Sequence, residues 1–93
     1  MKQVYCIEST IRFNGKAIAN GVDIACTTKE LAEREFMKSQ RHLIETADEM
    51  GHGKCVKKFT YCGNDGAQHL ILTYEAVKVE YIWRIFSTDL IES

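Results

Sequence analysis

Residues 5–25 read YCIESTIRFNGKAIANGVDIA, and the Asn14-Gly15 pair at their centre decides the fold. Asn-Gly suits a type I′ turn, because both residues accept positive φ, and alternating apolar positions flank it. Pairing Phe13 with Lys16 sets Ile11 opposite Ile18, Ile7 opposite Val22 and Tyr5 opposite Ile24. The expected core face therefore carries Tyr5, Ile7, Ile11, Phe13, Ile18, Val22 and Ile24, interrupted where Ser9 meets Asn20. The other face sets Val4, Cys6, Glu8, Thr10 and Arg12 against the small residues Ala17, Ala19, Gly21 and Ala25. Such a stripe leaves room for something to lie close.

Beyond the hairpin, Thr27 as N-cap with Glu30 three residues on predicts a capping box, and Gly51 a C′ residue. Leu31, Ala32, Phe36, Met37, Leu43, Ile44, Ala47 and Met50 recur at three- and four-residue steps between them, the mark of an amphipathic helix. About 23 residues at 1.5 Å rise span roughly 34 Å, enough to cover a strand of ten residues at roughly 33 Å.

Two further strands, Lys54–Cys62 and Gln68–Tyr74, then enclose the turn Gly63-Asn64-Asp65-Gly66. In Leu70, Leu72 and Tyr74 the apolar parity is even, whereas in Val77, Val79, Tyr81, Trp83 and Ile85 it is odd. A bulge, bend or tight turn is expected at Glu75-Ala76. The fold class is α+β: a ββαββ antiparallel sheet with an expected fifth strand, and one long amphipathic helix packed on one face. Ninety-three residues without proline, repeat or low-complexity segment make a single domain over 1–93. A compact body of this length has a radius of gyration near ~12 Å and is about 30 Å across.

A formal charge of −1 argues against a strong commitment to nucleic acid or anionic lipid. No signal peptide or membrane-length apolar run is visible, so the expected location is cytoplasmic, with the four cysteines as reduced thiols.

Residues 52–70, HGKCVKKFTYCGNDGAQHL, hold the densest collection of reactive side chains. His52, Cys55, Cys62 and His69 offer four zinc donors, but Cys55 and Cys62 are an odd separation apart and point to opposite faces of a regular strand. A two-residue turn at Asp65-Gly66 sets Cys62 opposite His69, the start of a cysteine nucleophile with its base. A type I turn at Asn64-Asp65 with a bulge at Gly66 sets Tyr61 opposite His69 and Lys58 opposite Leu72. The first register separates apolar from polar better and is preferred. Neither brings the four donors together, and no orienting group or oxyanion hole is indicated for catalysis.

Lys54, Lys57 and Lys58 with Tyr61 suggest a single-strand nucleic-acid grip, weighed against a solvated edge kept soluble by lysine. Tyr5 with Asn20-Gly21 invites comparison with the GIY-YIG nucleases; the second motif tyrosine is missing, and the comparison fails. The terminal segment carries Tyr81, Trp83 and Ile85 on one face and Ile82 and Phe86 on the other. Such a strand is either central in its sheet or buried in an interface. Together with Ala17 and Ala19, these residues form the candidate protein interface, and a homodimer is one form it takes.

The function expected from these features is non-enzymatic protein binding, with no cofactor and another protein as partner. Motif-less domains of this size are frequent among phage and mobile-element accessory proteins, including inhibitors of host enzymes. Nucleic-acid binding through the lysine strand is the first alternative, and a small zinc module through His52, Cys55, Cys62 and His69 the second.

Overall fold

A computed structural model describes residues 3–89. Five strands, β1 (Gln3–Phe13), β2 (Lys16–Cys26), β3 (Lys57–Cys62), β4 (Gln68–Thr73) and β5 (Lys78–Asp89), form one antiparallel sheet in the order β2-β1-β5-β4-β3. The helix α1 (Lys29–Glu45) packs on one face, followed by a 3-10 turn at Ala47–Glu49. The α+β architecture matches the sequence pattern, and the final segment is a separate strand lying at the sheet's centre. The parity switch is a tight turn, closed by the Tyr74 N–H donating to the Val77 carbonyl at 2.8 Å.

The first hairpin turns where expected, with Asn14 at φ 52° and Gly15 at φ 84°, and Phe13 pairs with Lys16. Its register then departs from the regular one. Ile11 faces Ala19, Ile7 faces Ile24 and Tyr5 faces Cys26, because Ile18 and Asp23 are each an extra residue in β2. Each bulge shifts the side-chain alternation by one step. Ile18 and Val22 consequently leave the core and are 61% and 56% exposed. The small-residue stripe is split as well: Ala17 lies opposite Arg12 on one face and Ala19 opposite Ile11 on the other.

The helix begins one residue later than the capping box implied. Thr28 has extended backbone and its Oγ1 accepts from the Leu31 N–H at 3.1 Å. Thr28 is therefore the N-cap, Leu31 stands at N3, and Glu30 falls one position too early to close a box with it. Regular helix ends at Glu45, where Thr46 donates both its N–H and its hydroxyl to the His42 carbonyl. At 17 residues it is about 26 Å long rather than 34 Å. Tightening to a 3-10 turn presents the carbonyl of buried Ala47 to the Tyr74 hydroxyl at 2.6 Å. It also presents Asp48 Oδ1 to the Cys55 N–H at 2.7 Å.

Ala32 and Phe36 of α1 meet Ile7, Leu70, Leu72, Val79 and Trp83 of the sheet, with Ile7, Leu70 and Leu72 fully buried. Strands of 11 and 12 residues outrun the helix. The body is therefore elongated, 50 × 25 × 23 Å with a radius of gyration of 14.7 Å. It is larger than the compact estimate because length in a sheet costs no extra layer.

Candidate functional site

The face of the sheet opposite α1 carries Val4, Cys6, Glu8, Thr10 and Arg12 of β1, flanked by Ile82, Arg84 and Phe86 of β5 and Val22 of β2. Toward β3 it continues through Glu80, His69, Ile71, Phe59 and Tyr61. Strand parity assigns all of these to one side. No element of the described residues lies over it.

Glu80 is its chemical centre. Its Oε2 accepts from the Tyr61 hydroxyl at 3.3 Å and stands 3.2 Å from His69 Nδ1, while Oε1 lies 3.8 Å from Arg12 Nη1. The Tyr61 ring stacks on His69 with centroids 4.3 Å apart and planes 9° from parallel. Desolvation first, and the Glu80 carboxylate after it, raise the Tyr61 hydroxyl above its ordinary value of 10.0, so it stays a proton donor at neutral pH. Phe59 continues the row at 5.7 Å from Tyr61, and the Lys57 ammonium lies 5.8 Å from the Phe59 ring centre. The whole row Lys57–Phe59–Tyr61–His69 ends on a carboxylate.

This row depends on the register of the β3–β4 hairpin. Tyr61, not Cys62, pairs with His69, and Lys58 pairs with Leu72. The Asp65-Gly66 two-residue turn is thus overturned in favour of a three-residue loop with Gly66 at φ 84°. Two contacts select it: Gly63 N–H donates to the Ala67 carbonyl at 2.7 Å, and Asp65 Oδ1 accepts from the Ala67 N–H at 3.1 Å. The Ala67 N–H, and the Arg84 guanidinium that also binds Asp65, hold its carboxyl below the ordinary 3.8.

The expected Cys62–His69 pair therefore does not form; Cys62 pairs with Gln68, and its thiol lies 3.6 Å from the Gly63 carbonyl. His52 sits between the rings of Phe13 and Tyr74, at 5.4 and 5.2 Å. The Cys55 thiol donates to the Lys57 carbonyl. All four cysteines are free thiols, and no group of three or more metal-binding side chains converges among the described residues.

Of the interface candidates, Trp83 is only 5% exposed and packs 5.3 Å from Phe36. Tyr81 and Ile85 share its helix-facing side and pack against the core. Ile82 and Phe86 lie on the open face. Of the nucleic-acid candidates, Lys57 and Tyr61 share that face, Lys58 has the opposite parity, and Lys54 precedes the strand. Sequence reasoning noted Phe59 beside the lysine strand but missed Arg12 and Glu80. A lone glutamate inside an apolar strand was the available signal, but its partners come from three other strands.

A groove of about 470 Å³ also lies between α1 and the hairpin turn, floored by Phe36 and Trp83 and rimmed by Lys29, Glu33, Asp65 and Arg84. No family model matches the chain, and no curated protein or solved structure is significantly similar to it.

Proposed function

We propose that the protein is a non-enzymatic module that binds another protein through the helix-free face of its sheet. The observation behind this reading is that Phe59, Tyr61, Phe86 and Val22 stand exposed on that face with a hydrogen-bonded polar cluster between them. Aromatic side chains are enriched at protein interfaces and often act as their anchors, and the polar groups beside these already have hydrogen-bond partners within the chain. His69 places Nδ1 on Glu80 and stacks its ring on Tyr61, which holds the imidazole in one orientation on this face. An accessory protein that blocks a host enzyme would use such a face without chemistry of its own.

The test is affinity capture from the native host with wild type, Phe59→Asp, Phe86→Asp and, as control, Ile18→Asp. The partner, identified by mass spectrometry, should be lost with the two face variants and kept by the control. Retention by both face variants would sink the reading. Trp83→Ala is not a suitable probe, since it removes core packing.

The row Lys57–Phe59–Tyr61–His69 also favours a second reading, stacking of single-stranded nucleic acid. Glu80 at its end opposes a phosphate backbone, and Lys54 and Lys58 do not join it. Filter binding across a salt series separates the two: phosphate contacts release counterions, so retention that ignores salt excludes this alternative.

A further inference from the structure

Three stretches of sheet edge could take another strand, and they are not equivalent. The outer edge of β2 is interrupted by its two bulges. The end of β5 beyond β4 starts at Arg84, which the hairpin turn holds through Asp65. The outer edge of β3 is regular: Lys57–Cys62 pairs with β4 without a register shift, and all six residues are exposed. The helix packs over β1, β2 and β5, so no layer covers either side of β3 among the described residues. The Gly63 N–H bonded to Ala67 sets the alternation of the ladder. Lys57, Phe59 and Tyr61 turn their backbone groups to β4, and Lys58, Thr60 and Cys62 turn theirs outward.

We propose that a second copy of this chain pairs antiparallel along this edge, about a two-fold axis at Phe59, joining the two sheets into one. Such an axis stands perpendicular to the sheet, so residues placed opposite must share a face. Phe59 then meets Phe59 of the second copy, Lys58 meets Thr60, and Lys57 meets Tyr61. The Lys58–Thr60 pairs exchange the outward N–H and C=O groups, while Phe59 and Lys57–Tyr61 occupy the closer positions where side chains touch.

Charge decides among the neighbouring registers. Centring the axis on Lys58 sets two ammonium groups directly opposite, which is unfavourable. Centring it on Thr60 pairs an equal length of strand but sets Lys57 opposite Gly63, where its ammonium meets no aromatic ring. With the axis at Phe59 no cation faces a cation, and each Lys57 lies over an aromatic ring whose hydroxyl is held by Glu80. That repeats the contact Lys57 makes with its own Phe59. The lysines that would keep an edge from pairing indiscriminately thus exclude the Lys58 register, and the Lys57–Tyr61 contact favours the axis at Phe59. Phe59 and Tyr61 belong to both the edge and the open face. Pairing along the edge, however, is between copies of this chain and is read from mass alone, so this inference does not rest on the partner reading.

The test is light scattering after size exclusion on the full chain, from low micromolar to near millimolar concentration. The expected mass rises with concentration from the 10.6 kDa of one chain to twice that value. Phe59→Lys places two ammonium groups across the axis, and Thr60→Pro removes an outward N–H; both should hold the mass at one chain with an unchanged circular dichroism spectrum. Wild type that stays at one chain throughout overturns the proposal. So does a dimer that survives in a folded variant, because self-association then lies elsewhere. Phe59→Lys alone decides the matter where Thr60→Pro does not fold.

Discussion

Glu80 holds together side chains from three other strands, so its removal is felt beyond its own position. Glu80→Ala leaves the Tyr61 hydroxyl and the His69 ring without their acceptor; since both retain some access to water, the expected loss is about 1–2 kcal/mol in urea unfolding. Fully buried Leu72 behaves differently: Leu72→Ala should cost about 2–5 kcal/mol, because a cavity adds to the lost burial. Ile18→Ala is the counterpart. Regular pairing places Ile18 in the core, whereas the bulged register leaves it exposed, so the substitution should stay within about 0.5 kcal/mol of neutral. A loss as large as that of Leu72→Ala would restore the unbulged register.

Turns carry the next level of organisation, and they show where the sequence could be read. Asn14-Gly15 was legible because both residues must take positive φ, and the structure gives them φ 52° and 84°. The Gly63–Gly66 turn offered two registers with the same residues. The choice between them rests on the Asp65 carboxylate binding the Ala67 N–H, a contact that apolar patterning does not encode. The bulges at Ile18 and Asp23 were hidden for the same reason, since a period-2 pattern remains plausible on either side of an inserted residue. The candidate site inherited these errors: Phe59, Tyr61 and His69 align only in the register that patterning disfavoured. Gly66→Ala meets no atom within 4 Å but must hold a side chain at φ +84°, which should destabilise by about 1 kcal/mol. Asp65 has its carboxyl lowered in the folded chain, so its contribution is present above the ordinary 3.8 and is lost as pH falls through the folded value. The Ala67 amide resonance should accordingly titrate with a midpoint below 3.8; a midpoint at or above it would remove Asp65 from the turn.

For the whole molecule, hydropathy conveyed the layers, the single helix and the extra strand, but not the strand order. That order follows from one long-range pairing, β1 with β5, in which Gln3 lies beside Asp89 and Phe13 beside Val79. The pairing has a kinetic consequence. The first hairpin and α1 can form from local contacts, yet the sheet cannot close until almost the entire chain is available. Bringing its ends together carries the largest loop-closure entropy in the fold, and topologies dominated by such contacts fold slowly. A circular permutant joining β5 to β1 by a short linker and opened at Gly51–Gly53 turns that closure into a hairpin. It should refold faster than wild type in stopped-flow measurements while unfolding at a similar rate. During synthesis the inner edge of β1 must wait for its neighbour, so a strand that is central in the finished sheet spends the chain's early life as an open template.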